Sequence, residues 1–157
     1  MFRILAVVLL AFASISGYAQ QRPDYGPSIN LEAAKKVLAA AQAESRKNGW
    51  NMAIAIVDTA GNLVAYEKMD QTQTASVQVA IDKAVSAAIY RRPTKVFEDL
   101  VAKGGGGMRV MNLRNASMVE GGVPIFVDGK VIGGIGVSGA NSDQDGVAAK
   151  AGADAVK

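Results

Sequence analysis

An α+β domain with helices layered on an antiparallel sheet is the fold the sequence predicts, and three observations predict it. Strand-like runs come as two hairpin pairs, 52–57 with 63–69 and 123–127 with 130–137. Helical periodicity is confined to the segments around and between them, chiefly 31–47, 74–91 and 142–157. No segment alternates strand and helix in the way a parallel sheet requires. Hairpins kept apart from helices favour an antiparallel sheet.

Taken in order, the chain first presents a leader. Arg3 precedes an apolar stretch at 4–12, and Gly17-Tyr18-Ala19 offers small residues for cleavage before Gln20. This is the pattern of a secretory signal peptide over residues 1–19, and the apolar stretch is short for a membrane span. The mature protein is therefore expected to be exported, periplasmic or secreted, with no membrane insertion after cleavage. Residues 20–28, with Pro23, Gly26 and Pro27, read as a flexible exposed leader, and residues 29–157 as one folded domain.

Asn30 is placed to cap a helix over 31–47, whose Leu31, Ala34, Leu38 and Ala41 share a face; Asn48-Gly49 stops it. A short apolar strand at 52–57 follows, then the turn Asp58-Thr59-Ala60-Gly61-Asn62 and a second strand at 63–69. The longest helix is predicted over 74–91. Val77, Ile81, Ala84, Val85 and Ala88 form its apolar stripe, with Asp82, Lys83 and Ser86 off it. Its many alanines make it thin. Pro93 ends it through the restriction on Arg92, and Thr94 is expected to cap a short helix to 101. Lys103 and Gly104 to Gly107 read as a hinge or lid without the Lys-Ser/Thr of a phosphate loop. Met108, Met111 and Met118 suit either core filling or an adaptable surface, and core filling is favoured.

The second hairpin turns at Asp128-Gly129, which fits a type I′ turn. Its outgoing strand carries Gly133, Gly134 and Gly136, where glycine leaves nothing to pack. Something must approach closely there: another backbone, a neighbouring subunit or a flat ligand. Gly134 to Gly139 also match G-x-G-x-x-G, the dinucleotide fingerprint. That fingerprint needs a following parallel strand with an acidic residue, and the chain ends first. Packing is the better reading of these glycines. Ser142 or Asp143 can cap the last helix.

Composition removes whole classes of chemistry. There is no His and no Cys, so Ser-His-Asp and Cys-His catalysis, the usual zinc sites and disulfides are all excluded. Haem could not be held by its commonest axial ligands. No metal site is expected. Seventeen Lys and Arg against fourteen Asp and Glu, less Arg3 after cleavage, leave a charge near +2. No Lys/Arg cluster stands out except Arg91-Arg92, so nucleic acid is not implied.

Several motifs together resemble one family. They are Ala55 to Val64 with Asp58 and Gly61, Lys68-Met69-Asp70, Ala80 to Ala84 with Lys83, Gly121-Gly122-Val123-Pro124-Ile125, and Ile132 to Gly139 with Gln144-Asp145. Their order and spacing resemble the GlcG/HbpS family, which includes the C-terminal domain of PduO-type proteins. The resemblance spans about 31–156. It implies a five-stranded antiparallel sheet with helices packed on it, and assembly into dimers or larger rings up to octamers. HbpS-like members bind haem, some with slow degradation or a redox-sensing partner. Others sit beside glycolate or propanediol genes without a settled activity.

Carried onto matching positions, the ligand-binding candidates are Met69, Asp70, Lys83, Gly121, Gly122, Ser138, Gly139 and Asp145. Each also has an architectural reading, as turn, close-packing glycine or helix cap. Lys83 stands apart because it could reach a carboxylate at a subunit junction. Members that use histidine for iron cannot be matched here. Any haem would be bound without His or Cys ligation.

Three functions compete at this stage. An exported haem or tetrapyrrole-binding module, protective or sensory, would use glycine-lined clefts between subunits, with Lys83, Arg91, Arg92 or Arg109 for the propionates. A small organic-acid binding protein, for a glycolate-like ligand, would use the same cations. An enzyme would have Asp70, Asp145, Lys83 and Tyr66 as acid-base groups, with no diagnostic pairing and no assigned catalytic residue. The haem-binding reading leads.

Overall fold

The computed structural model describes residues 22–156; the expected signal peptide and its cleavage point lie outside the described residues. Asn30 accepts from the Ala33 N–H at 2.9 Å and opens helix α1, Leu31–Lys47. Strands β1, Ala53–Val57, and β2, Leu63–Lys68, form the first hairpin. Helix α2 is Ser76–Tyr90 and α3 is Lys95–Ala102. A 3₁₀ helix, Gly105–Asn112, precedes β3, Gly122–Val127, and β4, Lys130–Ser138; α4, Ser142–Ala153, closes the chain. The α+β class and the antiparallel sheet are as expected.

The sheet has four strands in the order β2-β1-β4-β3, all pairs antiparallel, so the fifth strand is absent among the described residues. The leader occupies a fifth strand's place only in part. Val131 exchanges backbone bonds with Asp24 and Gly26, leaving one parallel bridge at Tyr25. Pro23 and Pro27 flank that bridge, lack N–H donors and cannot extend it.

Most of the leader is exposed, and it is tied down at several points. The Tyr25 hydroxyl donates to the Ile89 carbonyl at 3.0 Å, and Arg22 donates to the Tyr90 carbonyl at 2.9 Å. Both bonds satisfy carbonyls that the end of α2 leaves unpaired. Arg91, in the left-handed region at φ 52°, ends α2 one residue before the position the pre-proline rule marks.

Alternation sorts the two faces of the sheet. Ile54, Ile56, Ile135 and Val137 point toward α1 and α4, where Val37, Leu38, Ala148 and Ala149 complete a side-chain core. Ala53, Ala55 and Val57 point the other way, toward Ala80, Ala84 and Ala88 of α2. On that face a Cβ at Gly134 would stand 2.5 Å from the Ala84 carbonyl, and one at Gly136 less than 3.0 Å from the Ala80 carbonyl. The close approach that Gly134 and Gly136 announce is thus the backbone of α2, and that of Gly133 is the Val57 carbonyl and Ile29, all within this chain.

This corrects the predicted face of α2. Ser76, Ala80, Lys83, Ala84, Ser86, Ala87 and Ala88 are buried, while Val77, Ile81 and Val85 are only half-buried. Small side chains, not large ones, mark the face that meets a glycine-rich sheet. Thr94 is corrected too. Its hydroxyl makes no helix cap but accepts from the Gly122 N–H at 2.9 Å, while its own N–H donates to the Gly122 carbonyl. The last helix is capped at Asn141, whose N–H donates to Gln144 Oε1 at 3.2 Å, rather than at Ser142 or Asp143. Met108 and Met111 are exposed and Met118 half-buried, so the first two are surface and not core filler.

Candidate functional site

Six of the eight predicted site residues converge where β3 begins and β4 ends. Lys83 crosses from α2 to Asp145 of α4, although those helices lie on opposite faces of the sheet. Its Nζ donates to Asp145 Oδ2 at 2.7 Å and to the Val137 carbonyl at 3.1 Å. Asp145 Oδ1 accepts from the Ala140 N–H at 3.1 Å. The two side chains are 1% and 3% exposed, so this is an ion pair inside the protein. Burial pushes the Asp145 carboxyl above its usual range, against the downward pull of the Lys83 ammonium and the Ala140 N–H. Lys83 therefore meets its carboxylate within one chain, not across a subunit junction.

Gly121 makes room for that crossing. A Cβ there would stand 2.6 Å from the Val137 carbonyl and 2.8 Å from Lys83 Nζ, and the residue sits at φ +124°. Only glycine meets both demands. Ser138 bonds Ser76 hydroxyl to hydroxyl at 3.1 Å, and Gly139 lets β4 pass the backbone of Asn51 and Met52.

Met69 and Asp70 do not join this group. Met69 packs half-buried against the main core and bonds its N–H to the Met52 carbonyl; Asp70 is exposed. The proposed propionate partners are likewise elsewhere. Arg91 donates to the Pro23 carbonyl and covers the Tyr25 ring at 4.9 Å, Arg92 covers the Phe97 ring at 5.1 Å, and Arg109 is exposed on the 3₁₀ helix. The Tyr66 hydroxyl is buried without a partner among the described residues, and burial raises its pKa. That makes it a poor base near neutrality.

On the other side of Gly121-Gly122 lies a cavity of about 490 Å³. Val123, Pro124 and Phe126 of β3 form one wall and Gly146, Ala153 and Val156 another, with Pro93, just ahead of α3, also in the lining. Lys95 and Lys150 also line it. Each is held in an exposed i,i+4 pair, Lys95 with Asp99 and Lys150 with Asp154, the latter at 2.5 Å. Exposed pairs of this kind are weak because water screens them, so an incoming anion can take either ammonium at little cost.

Glu120 completes the lining. Among the described residues no hydrogen bond or ion pair engages its side chain. Burial pushes its carboxyl above the ordinary range; Lys95 opposes this, while Glu98, Asp143 and Asp99 add to it. Its Oε1 lies so close to the bare Cα of Gly146 that a Cβ there would stand 2.5 Å away. Glycine inside a helix is about 1 kcal/mol less favourable than alanine, and at this position it seats the carboxylate.

Glu120, Lys95 and Lys150 come from three separate segments, and the sequence reading missed them. The one signal available was Gly146, an unexplained glycine inside a predicted helix. No cluster of three metal-binding side chains occurs among the described residues.

Comparison with known proteins finds relatives of this chain. The family model described as haem degrading protein HbpS-like matches residues 29–154. Protein GlcG of Escherichia coli K12 is 38% identical over 110 residues, covering 70% of this chain and 81% of the relative. A doubly substituted HbpS of Streptomyces reticuli superposes with a TM-score of 0.76 at 28% identity, covering 99% of both chains. A PduOC:haem complex superposes with a TM-score of 0.74 at 23% identity, over 83% of this chain and 96% of the other, and shares the fold.

Proposed function

We propose that this chain, which belongs to the HbpS-like family, is an exported module that binds haem or a related iron tetrapyrrole in the cavity beside Gly121-Gly122. The observation that carries the reading is the cavity itself: apolar walls with two lysines, in a protein of this family. Its volume falls in the roughly 300–1,000 Å³ range of small-molecule sites. Val123, Pro124 and Phe126 on one wall and Ala153 and Val156 on the other would cover a flat macrocycle, at roughly 25 cal/mol for each Å² of apolar surface removed from water.

Lys95 and Lys150 would leave their helical partners to receive the propionates through charge-assisted bonds. The lining holds no imidazole, thiolate, thioether or phenol, and its titratable oxygen donors are Glu120 and Asp154. Haem bound there supplies an iron centre, and these residues supply its seat. Export rests on residues 1–19, and an intact mass beginning at Gln20 for protein recovered outside the cytoplasm is the matching test.

Titration of hemin into the purified protein is expected to give a saturable Soret shift, weakened by Lys95→Glu with Lys150→Glu and by Phe126→Asp. A curve indistinguishable from hemin in buffer removes haem. The same lysines would then be tested with a glycolate-like acid, the second ligand class they suit.

A further inference from the structure

We infer that Glu120 is the residue that would ligate the iron of a tetrapyrrole held in this cavity, through a carboxylate oxygen. The inference rests on the tetrapyrrole reading and names the donor that reading leaves open. A chain without His or Cys must find its donor elsewhere, and the cavity offers only two carboxylates. Asp154 stands at the C-cap of α4 with its side chain 55% exposed to water, whereas Glu120 is half-buried. Glu120 is committed to nothing: its backbone N–H donates to Glu98, and its carboxylate has no partner among the described residues.

Gly146 adds an independent observation. The Glu120 carboxylate rests where a Cβ of residue 146 would be, 2.5 Å from Oε1 and 2.9 Å from Cδ. A side chain seated against bare helix backbone has one flank fixed, and its remaining approach is from the cavity it lines. Gly121 and Gly122 follow it directly, anchored to Val137 and Thr94. The main chain that carries Glu120 is thereby held in place.

Coordination needs no electron transfer. With ferric haem in the cavity, Glu120 would supply a carboxylate oxygen to the iron in place of the hydroxide or chloride that free hemin carries, which would leave as the anion. The iron stays ferric, and Glu120 enters as the carboxylate.

Hemin and metal-free protoporphyrin IX distinguish the donor from the seat. Wild-type protein should bind both, with hemin showing the charge-transfer bands of an oxygen-ligated high-spin ferric centre. Glu120→Gln should weaken hemin about ten-fold and shift those bands, while leaving protoporphyrin IX unchanged. Gly146→Ala, whose Cβ displaces the carboxylate, should move hemin in the same direction; circular dichroism checks that each variant is folded. If wild type binds both ligands and Glu120→Gln and Glu120→Ala reproduce its hemin spectrum and affinity, Glu120 is not the donor and the cavity reading stands. If wild type binds neither, the cavity reading fails and this inference fails with it.

Discussion

Lys83 holds its ammonium where water does not reach, and withdrawing two charges from water costs several kcal/mol per ion. The pair persists because both partners are satisfied: Asp145 and the Val137 carbonyl by Lys83, and Asp145 again by Ala140. Removing one partner strands the other. Lys83→Met should therefore lower unfolding free energy by about 3–5 kcal/mol, whereas Lys83→Met with Asp145→Leu should recover most of that loss. Denaturant unfolding checks it, and a double variant as damaged as the single one contradicts it. Asp58 gives the opposite kind of charge, exposed enough to titrate. Burial disfavours its ionisation but is outweighed by the Asn62 side chain and by the N–H groups of Asn62, Ala60 and Gly61, so its pKa lies below 3.8. The unfolded chain then takes up the proton more readily. This contribution to stability is complete above the unfolded pKa and is lost as pH falls through the folded one. Asp58→Asn should flatten the acid limb of stability between roughly pH 5 and pH 2; parallel limbs for the two proteins would refute the assignment.

Helix α2 and strand β4 meet with almost no side chains between them. Gly136→Ala places a Cβ less than 3.0 Å from the Ala80 carbonyl, a backbone atom that cannot swing aside. The expected cost is about 3 kcal/mol, read by thermal or denaturant melts beside Gly106→Ala, where nothing lies within 4 Å. Equal melts would refute the close contact. Most elements were legible in the sequence because their ends carry strong local signals: Asn30, Asn48-Gly49, the Asp58 to Asn62 turn and Asp128-Gly129. The buried face of α2 was not. Amphipathic reasoning takes the largest apolar residues as the inner face, and here Val77, Ile81 and Val85 flank it while alanines and Lys83 enter. The ion pair hid for the same reason. Its two residues are 62 positions apart and were each visible, but nothing local says that Gly121 opens a passage between the layers. The four strands were legible as two hairpins; the fifth was expected from the family resemblance alone, and no run of residues marked it.

At the scale of the molecule, apolar surface remains on display. Met108, Met111 and Leu113 on and beside the 3₁₀ helix are 43%, 57% and 41% exposed, and Phe126 lies in the open cavity. The sheet glycines say nothing about assembly, since α2 uses Gly134 and Gly136 and Val57 with Ile29 crowds Gly133. These exposed residues carry the argument instead: they favour a homo-oligomer, and closed symmetry is its usual form. Light scattering should give a multiple of the protomer mass, reduced by Met111→Glu with Leu113→Glu. A monodisperse wild-type monomer at micromolar concentration contradicts it. The unequal padding of the two sheet faces has a mechanical consequence. On the α2 side, backbone abuts backbone, so that lamina has almost no compliance. On the α1 and α4 side, isoleucines, valines and leucines can change rotamer and yield. The cavity draws one wall from β3, which is coupled to the stiff lamina through Gly122, and another from α4, on the yielding one. A ligand that enters should therefore shift α4 and leave α2 still. Amide hydrogen exchange with and without hemin should change over 142–153 and not over 76–90; the reverse pattern would mean the stiff side is the one that moves.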